Sequence, residues 1–167
     1  MKAFNIIESG KTGFVEISKP EPKDDEILVD IFYAGLCGSD LSIFRGLMPM
    51  LEYPRIPGHE ISGLVAAKGK NVPDTCQVGD KIMVSPYTNC GSCSACRVGR
   101  PNTCEYNQTY GVQRDGALTE QIAVHFNKVF KSDKLELNEL ALAEPLSVGY
   151  HAANRGRVSE IDTVLVI

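Results

Sequence analysis

Residues 86–104 read PYTNCGSCSACRVGRPNTC, and this stretch is the most informative in the chain. Its cysteines follow the spacing C-x2-C-x2-C-x7-C and are Cys90, Cys93, Cys96 and Cys104. A short irregular loop with this spacing can place four thiolates around one tetrahedral zinc ion, at Zn–S distances of about 2.3 Å. A zinc ion with four sulfur ligands has no open position for water or substrate. We therefore predict a structural zinc lobe over residues 86–106 and expect any chemistry to lie elsewhere.

Two other arrangements of these cysteines stay open at this point. Paired disulfides are one, although cysteines this close in sequence rarely reach disulfide geometry without strain. The N-terminal run MKAFNIIESGK also contains too short an apolar stretch for a secretory signal that would direct the chain to an oxidising compartment. An iron–sulfur cluster is the other arrangement, since related spacings hold one. Cys76 stands apart from the cluster and is expected to be a buried or half-buried apolar residue.

The composition is that of an ordinary globular protein, with 43% hydrophobic and 23% charged residues in a chain of 167. The chain has 17 Lys and Arg against 21 Asp and Glu, a net charge of −4, which argues against a nucleic-acid partner. No stretch approaches the roughly 20 apolar residues of a membrane span. We expect a cytoplasmic protein with no membrane partner, in which the six cysteines serve metal or redox chemistry.

Short runs of alternating apolar and polar residues, separated by Gly and Pro turns, dominate the first 130 residues. The predicted strands are 1–7, 13–17, 26–36, 61–68, 81–85 and 117–124, the first two forming a hairpin. The longest, 26–36, places Ile27, Val29, Ile31 and Tyr33 on one face. This pattern is typical of a small barrel or sandwich, so the predicted fold class is mainly β with a few short helices.

Helices are predicted at three places, and an apolar run follows the last. Residues 39–46 are expected to form a short helix, with Ser39 as its N-cap and Gly46 at its end. Leu137 opens a second helical pattern, and 145–154 reads as a helix with Pro145 in the first turn and Gly156 beyond its end. Residues 164–167 are apolar and mostly β-branched, which predicts the opening strand of a parallel sheet buried on both faces.

A second group of candidate ligands lies upstream of the cysteine loop. Cys37 ends the predicted strand 26–36 in the run AGLCGSD, and His59 and Glu60 follow in the run PGHE. Thiolate, imidazole and carboxylate are suitable ligands for a zinc ion that keeps an open position. A histidine beside a glutamate is more often a hydrogen-bonded structural residue, so the ligand interpretation depends on the surrounding motifs.

Those motifs occur in a fixed order along the chain. They are Gly35-x-Cys37-Gly38-Ser39-Asp40, Gly58-His59-Glu60-x-x-Gly63, Val78-Gly79-Asp80-Lys81-Ile82, Arg100-x-Asn102-x-Cys104, Asp115-Gly116 and Glu144-Pro145. In this order the chain resembles the zinc-dependent medium-chain alcohol dehydrogenases over essentially its whole length. The branch of polyol, threonine and sugar-acid dehydrogenases resembles it most, because Gly38-Ser39-Asp40 and Glu144-Pro145 match that branch better than the classical alcohol dehydrogenases.

The resemblance implies roles for individual residues. Cys37 and His59 would be ligands of a catalytic zinc, and the carboxylates of Glu60 and Glu144 would share the remaining protein position. Ser39 would receive the substrate proton, and Asp40 would orient the histidine ligand, although Ser39 as a helix cap and Asp40 as a backbone acceptor stay open. The family often has a histidine where this chain has Ser42, which leaves three alternatives for the onward proton relay: a shorter relay, one through water, or one that uses a residue outside these 167.

The resemblance also implies an architecture and a reaction. A GroES-like β-barrel catalytic domain would span residues 1–155, and residues 156–167 would begin a truncated nucleotide-binding (Rossmann) domain that binds NAD or NADP. The full protein would transfer hydride between a secondary alcohol and the nicotinamide, carry two zinc ions per chain and form a homo-oligomer. Its partner would be a small-molecule alcohol or ketone. The 167 residues alone are expected to bind zinc without turning over substrate.

Two functions of other classes compete with this interpretation. A zinc-binding interaction module predicts a basic surface around the cysteine loop, but the basic residues there are too few: Lys81, Arg97 and Arg100. Such a module also leaves Cys37, His59 and Glu60 without a role. A chaperonin-like module would share the barrel but has no use for either metal site. Zinc content separates the three classes, with two, one and no zinc ions per chain.

Overall fold

The structure is a computed structural model that describes residues 1–49 and 51–166. Its strands are β1 (Lys2–Glu8), β2 (Lys11–Glu16), β3 (Glu26–Gly35), β4 (Glu60–Lys68), β5 (Lys81–Val84), β6 (Gln121–His125) and β7 (Val129–Lys131). Its α-helices are α1 (Gly38–Phe44), α2 (Ser94–Arg97), α3 (Leu137–Ala141) and α4 (Ala143–Gly156). Strand residues outnumber helical ones, which confirms the predicted mainly-β class. Among the described residues, no helix has the length and apolar character needed to cross a bilayer.

Strands β3 and β4 form the centre of the main sheet. Over the described residues the sheet has the order β6-β3-β4-β5-β7, with antiparallel pairing throughout. The predicted hairpin is confirmed, since β1 pairs with β2 from Lys2 opposite Glu16. Bridges from Ala3 to Thr119 and from Ile6 to Arg55 join this hairpin to the rest of the protein.

The core lies on one face of the sheet, where β-branched residues of adjacent strands meet. The fully buried apolar side chains of these strands include Ile27 and Val29 of β3, Ile61 and Val65 of β4, and Ile82 and Val84 of β5, together with Val124 of β6. Burying each such side chain stabilises the fold by about 1.5–3 kcal/mol. The predicted alternation along β3 holds up to Ile31. Tyr33 is half exposed, because the register shifts between Ile31 and Tyr33 and the strand runs past the core.

The pairing of β3 with β4 brings the candidate ligands together. Gly35, the last residue of β3, lies opposite Glu60, the first residue of β4. Cys37 therefore lies beside His59 and Glu60 although about 20 residues separate them in sequence. Helix α3 packs on the sheet through Ser62 of β4, whose buried hydroxyl donates a 2.5 Å hydrogen bond to the carbonyl of Leu137.

Several sequence predictions were wrong in detail. The strand predicted from Ala117 starts at Gln121, because the N–H groups of Ala117 and Leu118 donate to the carbonyls of Gly58 and Pro57 instead of extending the ladder. The short edge strand β7 pairs with β5 and was not predicted.

Helix ends also differ from the sequence prediction. The N-cap of α1 is Cys37 and not Ser39, because the helix starts at Gly38. Gly46 does adopt a left-handed conformation just after this helix, with φ of 72°. Gly156 is the last residue of α4 rather than lying beyond it, and Arg157 is the left-handed residue that follows, with φ of 52°.

The predicted strand at 164–167 is not formed over its described part. Val164, Leu165 and Val166 have no strand assignment and are between 56% and 88% exposed. A β-type run forms a strand only against a neighbouring strand, and among the described residues none lies beside this run. Ile167 lies outside the described residues.

Candidate metal centres

The first candidate centre contains Cys37, His59 and Glu60. One ligand atom from each of the three lies within 4.8 Å of the other two. His59 is 6% exposed, while Cys37 and Glu60 are partly exposed, so the group opens to solvent on one side. The structure thus brings together three of the four residues expected at a catalytic zinc.

Glycine is required at two positions around this group. A Cβ at Gly35 would overlap the side chain of Glu60, including its Oε2 atom. Gly58 has φ of 100°, and a Cβ there would lie 2.9 Å from the backbone nitrogen of Leu118. The two glycines flank the ligand-bearing residues because the chain passes too close to its neighbours for any larger residue.

The two ring nitrogens of His59 face Ser39 and Asp40. The Ser39 hydroxyl lies 3.3 Å from His59 Nε2, and a carboxylate oxygen of Asp40 lies 3.7 Å from His59 Nδ1. His59 Nδ1 is buried and has no hydrogen-bond partner among the described residues. A ring nitrogen beside a buried carboxylate is the arrangement that fixes the tautomer of a ligating histidine.

Asp40 also connects the two segments that carry the ligands. It is 5% exposed, and its carboxylate accepts the backbone N–H of Cys37 at 2.8 Å and that of Gly58 at 3.5 Å. The backbone-acceptor role left open for Asp40 is therefore observed alongside its position at His59. Ser42, at the position of the expected relay histidine, instead donates its hydroxyl to the carbonyl of Gly38.

Glu144 lies near this group but outside it. It is in the first turn of α4, is 6% exposed and accepts a 2.5 Å hydrogen bond from the hydroxyl of Tyr87. Burial raises the pKa of Glu60, and the nearby charges of Glu144 and Asp40 raise it further, while His59 opposes them. Three carboxylates thus share one small region, an arrangement that favours a bound cation.

Tyr87 is a residue of this site that the sequence reasoning missed. Burial raises its pKa, and the hydrogen bond to Glu144 and the charges of Glu144 and Cys37 act in the same direction. The sequence places Tyr87 only three residues before Cys90, within the stretch assigned to the structural zinc lobe. In the sequence, Tyr87 is recognisable only as an aromatic residue between Pro86 and a polar loop. Its approach to Glu144 depends on tertiary packing.

The second candidate centre is the cysteine loop. The sulfur atoms of Cys90, Cys93, Cys96 and Cys104 all lie within 4.8 Å of one another, and all six cysteines of the chain are free, so the disulfide alternative is wrong. The sulfurs of Cys93 and Cys104 are 3.9 Å apart. Zn–S bonds of about 2.3 Å in a tetrahedron give an edge of about 3.8 Å, which this distance matches.

Backbone N–H groups of the loop donate hydrogen bonds to cysteine sulfurs and so favour their thiolate form. The N–H groups of Ser92 and Cys93 donate to the sulfur of Cys90 at 3.4 and 3.2 Å, and these hydrogen bonds lower the pKa of the Cys90 thiol. The N–H of Tyr106 donates to the sulfur of Cys104 at 3.4 Å. Both donor sets fit zinc, one as a closed shell of four sulfurs and the other as an open mixed set.

A family model and known proteins match this chain. The model described as "Alcohol dehydrogenase GroES-like domain" matches residues 23–134. A zinc-type alcohol dehydrogenase-like protein of Haemophilus influenzae is 39% identical over the whole chain, which covers 49% of that protein. The sorbitol dehydrogenase of Bacillus subtilis is also 39% identical over the whole chain, covering 48% of its length.

A solved structure also matches this chain. The alcohol dehydrogenase RspB of Escherichia coli, solved in complex with NADH, superposes with a TM-score of 0.88 at 32% identity. The match covers 98% of this chain and 48% of that one, so the chain spans about half the length of the relatives it matches. Because the family model matches more than half of its residues, the chain belongs to the alcohol dehydrogenase family with a GroES-like domain.

Proposed function

We propose that the complete protein containing this chain is a zinc-dependent dehydrogenase of a polyol, sugar acid or similar secondary alcohol, with NAD or NADP as hydride acceptor. The observation that carries the proposal is the group of Cys37, His59 and Glu60, with Ser39 placed 3.3 Å from His59. Names of relatives such as sorbitol dehydrogenase and L-galactonate-5-dehydrogenase support the substrate class.

Cys37, His59 and Glu60 would hold the catalytic zinc, with Glu144 available as an alternative carboxylate. A zinc ion held there would lower the pKa of an alcohol hydroxyl, so that its proton can leave near neutral pH. The partly exposed side of this group leaves room for the substrate oxygen. The four sulfurs of the cysteine loop would hold the second, structural zinc.

The residues of α1 would take part in the transfer of the proton that the substrate hydroxyl releases. The Ser39 hydroxyl lies at the edge of the ligand group and is placed to accept the proton of the substrate hydroxyl. Asp40 would hold His59 in one orientation through its ring Nδ1. Ser42 donates to a backbone carbonyl of its own helix, so we propose that the proton passes from Ser39 to solvent without it.

The nicotinamide site would lie outside this chain. The sequence contains no G-x-G-x-x-G motif, which is the fingerprint of dinucleotide binding. We propose that residues 1–155 form the catalytic domain, that residues 156–167 lead into a Rossmann domain and that the complete protein is a homo-oligomer. The 167 residues alone would bind zinc but would not oxidise alcohols.

A substrate panel on the complete, zinc-loaded protein tests this function. Polyols, sugar acids, sugar alcohol phosphates and L-threonine are each offered with NAD or NADP, and reduced nicotinamide is followed by its absorbance. We expect turnover with at least one polyol or sugar acid, and none from the 167-residue chain alone. Two bound zinc ions with no dehydrogenase activity on the panel would contradict the proposed substrate class, and one zinc ion would favour an interaction module.

A further inference from the structure

Tyr87 connects the cysteine lobe to the candidate catalytic site. It precedes Cys90 by three residues, yet its hydroxyl donates a 2.5 Å hydrogen bond to Oε1 of Glu144, which lies 57 positions later in the sequence. The Tyr87 residue is 42% exposed, whereas Glu144 is 6% exposed. The hydroxyl therefore reaches from the surface to a buried carboxylate.

This hydrogen bond occupies one oxygen of Glu144. The ligand atoms of Cys37, His59 and Glu60 lie within 4.8 Å of one another, and Glu144 is not a member of that group. Glu60 approaches the group across Gly35, where the missing Cβ leaves space for its carboxylate. Two buried or half-buried carboxylates thus lie at one site, one directed to the other ligands and one held by a tyrosine.

A tyrosine hydroxyl is well suited to this task. It donates a hydrogen bond to a carboxylate, and such charge-assisted bonds are roughly twice as strong as neutral ones. The rigid ring holds the donor with only two side-chain torsions. A carboxylate that is free to swing could otherwise compete for the open metal position.

We propose that Tyr87 is a positioning residue that holds Glu144 away from the metal, so that Glu60 is the carboxylate ligand and the substrate position stays open. The inference rests on the proposed zinc site at Cys37. It goes beyond that site because it proposes that a residue of the cysteine lobe, Tyr87, determines which of the two carboxylates, Glu60 or Glu144, binds the metal. The structural zinc would then influence the catalytic site through the segment that carries Tyr87.

Cobalt substitution in the complete protein tests this role. Co²⁺ replaces zinc, and the visible spectrum of the Cys37 site is obtained as the difference from a Cys37→Ser variant. The proteins compared are wild type, Tyr87→Phe, Glu144→Gln and the double variant, with Tyr33→Phe as a control that removes a hydroxyl from a half-exposed ring on β3. Zinc affinity at the Cys37 site is measured by chelator competition.

In Tyr87→Phe we expect a changed cobalt spectrum, zinc binding about tenfold tighter and a lower kcat, because the freed Glu144 enters the open position. The Tyr87→Phe change should have no effect in the Glu144→Gln background, since the carboxylate that it releases is absent. The spectrum of the cysteine loop, which depends on its four thiolates, reports that each variant is folded.

An unchanged spectrum and affinity in Tyr87→Phe would overturn the inference, as would an equal effect in the Glu144→Gln background. Either result leaves the proposed function intact as long as wild type binds cobalt at the Cys37 site. A wild-type protein that takes up no cobalt there would contradict the proposed function itself, so the two failures are distinguishable.

Discussion

Asp40 places a carboxylate oxygen 3.7 Å from Nδ1 of His59, with both side chains more than nine-tenths buried. The same carboxylate accepts the backbone N–H of Cys37, so one residue touches both proposed ligands.

Asp40→Asn would place an amide where an acceptor is needed. We expect zinc affinity at the Cys37 site to fall about 10- to 100-fold, measured by chelator competition. The exposed Asp74→Asn is the control and should bind zinc like wild type; equal affinities in both variants would count against the role of Asp40.

Gly35→Ala tests whether Glu60 needs the space beside the end of β3. The new Cβ would overlap the Glu60 side chain, so the carboxylate must move away from Cys37 and His59. Zinc content at the Cys37 site should fall, while the four-cysteine site keeps its metal. Gly38→Ala is the matched control, because among the described residues no atom beyond its chain neighbours and the nearby backbone of its own helix lies within 4 Å of the added Cβ. Full zinc occupancy in Gly35→Ala would show that Glu60 is dispensable as a ligand.

Ser39→Ala tests the proton acceptor. Removing the hydroxyl should lower kcat of the complete protein about 10²- to 10⁴-fold without loss of zinc, because proton transfer is impaired while the ligands remain. Ser42→Ala removes a hydroxyl from the same helix that donates to Gly38, and its kcat should stay near that of wild type. Steady-state rates on the best alcohol of the substrate panel provide the measurement. A larger loss in Ser42→Ala than in Ser39→Ala would reverse the assignment.

Periodicity and turn residues were sufficient to predict the strands that pair locally. The β1–β2 hairpin and the alternation of Ile27 and Val29 along β3 follow from side-chain pattern alone, since one face of each strand must be buried. The strand start at Gln121 did not follow, because Ala117 has a suitable pattern but its N–H donates to the carbonyl of Gly58, far away in sequence.

In the candidate site, too, some features could be predicted from the sequence and others depend on tertiary contacts. Cys37, His59 and Glu60 were found from residue chemistry and motif order, and the pairing of Gly35 with Glu60 explains why they meet. The contact of Tyr87 with Glu144 had no local signature, because it depends on how the cysteine lobe packs against α4. Contacts between residues far apart in sequence are set by tertiary packing, which no single stretch of sequence encodes.

The ion pair of Asp80 and Lys131 predicts a pH-dependent contribution to stability. Burial alone would raise the pKa of Asp80, but hydrogen bonds from Lys131 at 2.8 Å and from the Gln77 N–H outweigh it and lower the pKa below 3.8. A carboxyl with a lowered folded-state pKa stabilises the fold above its unfolded-state pKa, and this stabilisation is lost as pH falls through the folded-state value. The contribution should therefore be present at neutral pH and disappear in acid.

Asp80→Asn should unfold more easily than wild type at neutral pH, and the difference should shrink as pH falls below 3.8 and vanish once Asp80 is protonated in the folded protein as well. Thermal unfolding at a series of pH values measures it. Asp133→Asn is the control, because Asp133 lies 3.7 Å from the same lysine but is 83% exposed, so its loss should change little. A difference for Asp80→Asn that grows in acid would contradict the sign of this linkage.

Metal content of the complete protein tests the account most directly. We predict two zinc ions per chain in wild type, with Cys37→Ser retaining only the zinc of the four-cysteine site and Cys104→Ser losing that one. Cys76, half-buried and outside both clusters, provides the control, and Cys76→Ser should keep two. Elemental analysis of each purified protein gives the count. A Cys37→Ser protein that still holds two zinc ions would contradict the assignment of the open site.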